Sequence, residues 1–439
     1  MKHTFVTALA AALLASSANA AGFAIKNEAP TYLGQSYAGV SAASDDIATQ
    51  FYNGALIAQY NANHISGGSS VLLPAIEAKN FSANSSAGLP VSGRSSRGNA
   101  VQNVAIPNLS AVLPLDSRWT AGLALTSPWG LATNYDDDWK GRYYGISTRL
   151  STINSTPTLA YAVTDSLAIS AGAQVQYAKG RLTNAVDCGL INAAFGLGLG
   201  GYVPGSSAND CHADLQGSDW GYGYTGGLLY KPDMRTRIGL SYRSEIDHEL
   251  KGDVKYNNPN PIFAAVGLRN GDASLRVKTP AVATFGVQHD LTPEWTLGME
   301  AQWTQWGSTE EFRARFTSGQ ADNVIDADWS DAWFYSLGGS YRPDQGRAIY
   351  RFGAGFDQSP VSNRTREVRV PDSNRYWLSA GAGYELTSNV RLDATYLAMQ
   401  FDDGRISQNA SGNNALRGTL NGEFNSFLNI ISLQLSSKF

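Results

Sequence analysis

From about residue 56 onward the chain alternates apolar residues with polar or small ones, a period of two that lays a chain out as β-strands. In residues 377–386, Leu378, Ala380, Ala382, Tyr384 and Leu386 fall on one face, and Ser379, Gly381, Gly383 and Glu385 on the other. Residues 294–305 repeat the pattern with Trp295, Leu297, Met299, Ala301 and Trp303. So do 237–243 with Ile238, Leu240 and Tyr242, and 351–357 with Phe352, Ala354 and Phe356. A soluble sandwich gives the same alternation, but its solvent face carries more Lys and Glu. Here the polar face is mostly Gly, Ser, Thr and Gln with isolated Arg or Glu, as in a barrel lumen, and Trp and Tyr gather near strand ends, as in interfacial girdles.

Composition agrees. The 439 residues include 45 Gly and 21 Tyr, and charged residues make up 16%, against about 25% in a typical soluble domain. Lys and Arg total 33 against 37 Asp and Glu, so there is no basic excess for nucleic acid. No window reaches the ~18 uninterrupted apolar residues of a membrane helix. A β-propeller would need a repeat of ~40–45 residues, and the sequence contains none.

Fourteen alternating segments can be counted, at roughly 56–74, 100–115, 119–133, 144–163, 166–182, 218–231, 234–256, 272–290, 294–316, 330–343, 347–358, 374–387, 390–408 and 422–439. Tight turns at Leu115-Asp116-Ser117-Arg118, Thr164-Asp165, Lys231-Pro232-Asp233-Met234, Leu291-Thr292-Pro293, Arg342-Pro343-Asp344 and Thr387-Ser388-Asn389 alternate with long loops at 183–217, 257–271, 317–329, 359–373 and 405–421. Short turns at one end and long loops at the other are the arrangement of an outer-membrane barrel. The last segment ends on Phe439 behind Phe427, Ile431, Leu433 and Leu435, a form similar to the signal read by the outer-membrane assembly machinery.

Upstream of the strands the chain changes character. Lys2, an apolar stretch over 5–14 and Ala18-Asn19-Ala20 form a signal peptide, 1–20, with a mature start at Ala21; a short buried helix is the other reading. Residues 21–55 are rich in small side chains, and Ser44-Asp45-Asp46 caps a short helix carrying Ile47 and Phe51. Export lets Cys188 and Cys211 persist as a disulfide, and their spacing is not that of a redox CxxC pair.

These residues resemble the FadL/TodX family of outer-membrane transporters for long-chain fatty acids and other hydrophobic molecules. The resemblance rests on an ordered set of motifs across nearly the whole mature chain. They are Ala21-Gly22-Phe23, residues 33–39 (LGQSYAG), Asp45-Asp46, and Asn53-Gly54-Ala55-Leu56-Ile57. Then come 126–134 (TSPWGLATN), 220–230 (WGYGYTGGLLY), 241–252 (SYRSEIDHELKG), 357–361 (DQSPV) and 370–381 (VPDSNRYWLSAG). The resemblance implies an all-β, fourteen-stranded antiparallel barrel in the Gram-negative outer membrane. An N-terminal hatch at 21–55 plugs it, and the barrel spans 56–439 with external loops at about 183–217 and 257–271. One departure stands out: the family hatch reads Asn-Pro-Ala, and here Gly54 takes the middle place, leaving that turn freer.

The resemblance also assigns roles. A groove between the loops at 183–217 and 257–271 collects ligand, here through Phe195, Leu197, Phe263 and Leu268; alternatively these side chains pack the loops on each other. The family's pocket sets basic side chains against a fatty carboxylate, and Arg313 occupies the matching stretch; the other reading pairs Arg313 with Glu310 or another acid. A second basic position aligns with Asn184, with Arg181 nearby but not equivalent. A single cation or none suits neutral aromatic or alkane hydrocarbons better, which keeps that substrate class as the alternative. Ser127-Pro128-Trp129-Gly130 interrupts the third strand, where the family wall kinks inward and opens laterally; an ordinary strand end is the rival reading.

Enzyme signals are poor. There is no G-x-S-x-G, H-E-x-x-H or P-loop, and Gly196-x-Gly198-x-x-Gly201 lacks the strand-turn-helix context of a dinucleotide site. His64, His212, His248 and His289 are isolated, so no metal or cofactor is expected. The expected partners are a hydrophobic small molecule, outer-membrane lipid and lipopolysaccharide, and the assembly machinery.

Overall fold

The computed structural model describes residues 22–43, 45–343 and 346–439. The expected signal peptide, Ala21, the Ser44 cap and Asp344 of one turn lie outside the described residues. The chain forms a closed barrel of fourteen antiparallel strands. These are β1 (His64–Asn84), β2 (Val104–Pro114, preceded by Arg97–Asn99), β3 (Trp119–Thr126 and Gly130–Asn134), β4 (Ser147–Thr164), β5 (Leu167–Val186) and β6 (Cys211–Tyr230). There follow β7 (Thr236–Arg243 and Ile246–Asn257), β8 (Gly271–Thr279 and Val282–Asp290), β9 (Trp295–Thr304 and Glu311–Phe316) and β10 (Asn323–Asp326 and Ala332–Tyr341). The last four are β11 (Ala348–Asp357), β12 (Arg375–Glu385), β13 (Val390–Phe401 and Gly404–Gln408) and β14 (Thr419–Lys438). Each strand pairs with its sequence neighbour, and β14 closes on β1 from His64↔Lys438 to Asn84↔Thr419. Closure removes the free edges, the only way a sheet satisfies its backbone in hydrocarbon.

The alternation resolves as expected for such a wall. Leu378, Leu337, Leu433 and Tyr384 point outward and are exposed, while Ser379, Ser336 and Gln434 point inward and are buried. On the outer face Trp303 pairs across to Trp333 near the upper edge of the apolar band, and Trp295 pairs with Tyr341 near the lower. Among the described residues no helix is long and apolar enough to cross a membrane.

The interior is filled by the N-terminal segment. It winds through α1 (Pro30–Leu33) and 3₁₀ turns at Val40–Ala42, Ile47–Phe51 and Gly54–Gln59, and β1 begins only at His64. Leu33, Tyr37, Val40 and Leu56 pack against inward side chains of the wall, among them Leu72, Ile106, Leu229, Trp377 and Leu397. Asp46 caps its turn by accepting from the Ala48 N–H at 3.0 Å and also takes the Gln434 amide at 2.9 Å, a tie from hatch to wall. Arg351 of β11 reaches Asp45 at 2.8 Å. Asn53 caps the last turn by accepting from the Ala55 N–H and donates to the carbonyls of Ser41 (2.8 Å) and Leu228 (2.9 Å).

Glycine on the lumenal face lets backbone meet backbone. Gly298, Gly338 and Gly353 sit opposite one another on β9, β10 and β11, and a Cβ on any of them would run into the carbonyls of Ala38 or Gln35. Gly54 is similar: a Cβ there would lie 2.6 Å from Thr158 Cγ2 and 2.8 Å from Ser170 Oγ. Thr158 and Ser170 of the wall fill the space beside Gly54. Gly54→Val should therefore cost about 1–3 kcal/mol, the usual overpacking penalty, and loosen the hatch alone. Limited proteolysis should show faster cleavage within residues 54–60, with the heat-modifiable migration of the barrel unchanged.

Candidate functional site

The third strand carries the main break in the wall. Against β4 its register passes from Thr126↔Asn154 to Gly130↔Ser151, so β3 holds one residue more than its partner between those pairs. Pro128 supplies no N–H to a ladder. On the other side the pairing with β2 stops at Leu109↔Leu125. It resumes only where the Asn134 N–H donates to Ala100. In between, the N-terminal segment takes the place of the missing strand. Ala24 bridges Trp129, the Ile25 N–H donates to the Pro128 carbonyl, and the Gly130 N–H donates to the Phe23 carbonyl, both at 2.8 Å. Ser127 and Trp129 are buried inside the barrel.

Phe23 is held in an aromatic cage. Its ring meets Trp306 edge-on at 4.8 Å and lies 5.9 Å from Trp329, 6.0 Å from Trp129 and 6.5 Å from Phe312. Trp306 is delivered by a 3₁₀ turn, Trp306–Ser308, that carries β9 inward between its two halves. The Gly22 N–H donates to Asp372 at 3.0 Å. Lys26 pairs with Asp357 at 3.4 Å, and Arg375 lies between Asp357 (3.4 Å) and Asp372 (3.6 Å). Two buried cations thus balance two buried carboxylates around the first residues of the hatch.

Phe23 forms the floor of an apolar cavity of about 680 Å³, its mouth included. Leu131, Leu150, Leu182, Leu250, Leu275, Val277, Phe312 and Trp329 make the walls. Arg369, from the loop between β11 and β12, lies at the polar end with Arg149, Asp326 and Glu367. The Arg369 guanidinium is buried and, among the described residues, donates only to neutral acceptors: Ser147 O (3.2 Å), Thr148 Oγ1 (3.0 Å), Thr183 O (3.2 Å) and Asn184 Oδ1 (3.3 Å). Among the described residues its Nε has no partner. Burial, and then the nearby Arg417, lower its pKa to about 10. Burial pushes Glu367 up to about 7, against the pull of Arg417 and Arg369. A second, smaller cavity lies on the other side of the floor, lined by Lys26, Glu28, Tyr52, Pro128, Trp129 and Arg243.

The family model for outer membrane protein transport proteins (OMPP1/FadL/TodX) matches residues 11–439. The chain belongs to this family. It is 30% identical over 409 residues to a long-chain fatty acid transport protein of Escherichia coli O6:H1, covering 89% of this chain and 90% of that one. It is 28% identical over 420 residues to outer membrane protein P1 of Haemophilus influenzae, covering 90% of each. Its fold is that of a Pseudomonas aeruginosa FadL homologue, at TM-score 0.86 and 23% identity over 95% of this chain and all of that one. The Ralstonia pickettii toluene transporter TbuX shares the fold at TM-score 0.66 and 20% identity over 94% of this chain and all of that one. The protein is therefore an outer-membrane transporter of the fatty-acid and hydrophobic-compound class.

Within this FadL/TodX barrel the residues singled out from sequence divide into two groups. The structure brings together Gly22, Phe23, Pro128, Trp129 and Gly130, with Ser127 beside them. Asn53, Gly54 and Ala55 lie elsewhere on the hatch, against β4, β5 and β6. Arg313 does not face the cavity. It follows Phe312 on β9, and adjacent strand residues point to opposite faces: Phe312 lines the cavity, and Arg313 turns outward to pair with Glu311 (2.6 Å) and Asp322 (3.0 Å). Arg181 likewise pairs with Asp214 on an exposed face. Cys188 and Cys211 are bonded, Cα atoms 5.7 Å apart, at the base of α2 (Cys188–Phe195). Around them Leu197 and Leu268 pack on the buried Phe263 beside α3 (Ile262–Ala265), while Phe195 is 61% exposed at the tip of α2.

Arg369, Glu367, Trp306, Trp329 and Asp372 were not singled out from sequence as site residues. Asp372 and Arg375 lie inside the family-like stretch 370–381, and Arg369 stands directly before it, which was the available signal.

Glu367 gives the cavity a pH dependence toward anions. Below about pH 7 it is neutral and leaves Arg369 uncompensated; above, its charge repels a second anion. A tetradecyl sulfate probe, whose own charge is constant, should bind the purified protein several-fold more tightly at pH 6 than at pH 8. The Glu367→Gln variant should bind equally at both. Isothermal titration calorimetry checks the difference.

Proposed function

We propose that this transporter imports long-chain fatty acids by passive lateral diffusion. The observation that carries the reading is that one residue, Phe23, is both the floor of the apolar cavity and part of the backbone pairing that completes the broken wall at β3. Ligand collects on the apolar loops around α2 and α3, with Phe195 at their tip, and moves to the cavity. Apolar burial at about 25 cal/mol per Å² drives it, and Arg369 orients the carboxylate. When the first residues of the hatch shift, the cavity joins the smaller one beside Pro128 and Trp129. The ligand then leaves between β2 and β3 into the bilayer without crossing an aqueous channel. Residues 1–20 serve as a cleaved leader; the hatch, read from sequence as 21–55, takes in the turn that ends at Gln59, and the barrel wall, read as 56–439, starts with the strand at His64.

The long-chain fatty acid transport protein of E. coli supports this choice of substrate. A second reading, uptake of neutral aromatic or alkane hydrocarbons, is favoured by charge balance: Arg149 and Arg369 at the cavity's polar end face Asp326 and Glu367. It also agrees with the toluene transporter among the structural relatives. Arg369→Gln separates the two. It should weaken oleate binding roughly tenfold, the low end for losing a hydrogen bond to a charged group, and leave toluene uptake intact. Uptake of both labelled compounds in transporter-deficient cells, with binding measured on the purified variant, decides it. Unchanged oleate binding would favour the hydrocarbon reading.

A further inference from the structure

The wall is also open between β8 and β9, on the side away from the β3 kink. Their ladder ends at Leu275↔Ala314 above and at Val282↔Thr304 below. Between these points residues 276–280 of β8 and 306–313 of β9 have no ladder partner on each other, because the Trp306–Ser308 turn draws β9 inward. The apolar cavity lies directly inside this gap: Leu275, Val277 and Phe312 line it. Directly outside lies a second, polar recess, where Ser274, Arg276, Lys278, Thr309, Arg313 and Arg315 are joined by five carboxylates, Asp219, Asp247, Glu249, Glu310 and Glu311. The two cavities lie on opposite faces of the same two strands.

A neighbouring gap shows that a missing ladder can be sealed. Between β6 and β7 the pairing stops at Lys251↔Ser218 and resumes at Arg243↔Thr225. There the Ser244 hydroxyl accepts from the Tyr224 N–H, the Gln174 amide donates to the carbonyls of Tyr224 and Ser244, and Ile246 and His248 fill the space left by Gly221. The β8–β9 gap has apolar Val277 and Phe312 on its inner side instead. On its outer side Lys278 and Arg315 make no ion pair among the described residues, and Thr309 is 3% exposed with an unpartnered Oγ1. The recess begins above the Trp303–Trp333 pair, where a girdle marks the level of lipid headgroups.

Resting on the reading that the cavity takes acyl chains, we propose that the β8–β9 gap is a second, lateral port at which long-chain fatty acids load. The carboxylate rests in the outer recess on Lys278, Arg315 and the Thr309 hydroxyl while the tail passes between the strands, beside Val277 and Phe312, into the cavity. Four of the recess's own carboxylates already have partners: Asp247 in Arg276, Glu311 in Arg313, Glu249 in Lys251 and Asp219 in His248. Lys278 and Arg315 are left as the cations to take an incoming carboxylate, and a single tail matches a gap only a few residues long. Arg313, placed outside the cavity by its register, then stands at the rim of this port.

Two photoreactive palmitate probes test the port on the full-length protein in vesicles, one with a diazirine beside the carboxyl and one at the chain terminus. Adducts are mapped to single residues. The expected result is head-probe label on Lys278, Thr309 or Arg315 together with tail-probe label on Val277 or Phe312. Lys278→Gln/Arg315→Gln should cut the head label at least five-fold. Head label only beside Arg369, with tail label in the cavity, would overturn the port and leave the proposed function standing. Absence of cavity label from both probes, in correctly inserted protein, would remove both. Head label in the recess with tail label only on the outer wall near Met299 and Trp303 would make the recess a surface site and overturn the port. So would head label erased by excess lipid A with no tail label inside, since the recess would then hold leaflet phosphates.

Discussion

Every N–H and C=O of a wall immersed in hydrocarbon needs a partner, and at the kink of β3 those partners come from the hatch. The carbonyl of Phe23 and the N–H of Ile25 complete the hydrogen bonding of Gly130 and Pro128. The N-terminal segment is thus a short missing strand of the wall as well as the top of a plug. Because the Phe23 side chain also sits in the Trp129–Trp306–Trp329–Phe312 cage, withdrawing these residues removes the cavity floor and unpairs the wall in one movement.

The rest of the hatch is fastened differently. From Pro30 to Gln59 it is held by capped turns, by carbonyls set against lumenal glycines, and by ion pairs such as Arg351 with Asp45. Its first residues depend on two backbone hydrogen bonds, one aromatic cage and the balanced set Lys26, Asp357, Arg375 and Asp372. Those four charges link the N-terminal segment to the loop that carries Glu367 and Arg369. The polar end of the cavity and its floor are therefore tied to one element. Arg369 and the Asp372 carboxylate that anchors Gly22 belong to that same loop.

Much of this was legible in the sequence, for physical reasons. Where a wall has lipid on one side and a packed lumen on the other, alternation is strict, and β7 to β14 stand close to where it places them. Alternation fades where one of those constraints is absent. β5 and β6 run on to Val186 and back to Cys211, well into what reads as the loop 183–217. There the outer face is polar too, as Arg181 and Asp214 show, so period two disappears. The first strand reads as 56–74 but begins at His64, because Asn53 caps a turn that runs to Gln59, and it continues to Asn84. Arg313 is a matter of parity. Outward residues on β9 are odd-numbered from Trp295 to Trp303 and again from Glu311, so counting on through the turn already puts Arg313 outward; the family match, not the period, points it at the pocket. Arg369 sits in a loop, where no period speaks at all.

On the proposed route, the hatch's first residues must leave the β3 kink before ligand can pass. Ala24→Cys with Trp129→Cys places a thiol pair on the two residues that bridge hatch and wall. Oleate uptake by cells carrying this variant, measured oxidised and then after reductant, tests the claim directly, with the parent under reductant controlling for Cys188–Cys211. Uptake is expected to be lost when the crosslink forms and to return when it is reduced. Undiminished uptake through a fully crosslinked barrel would contradict the route.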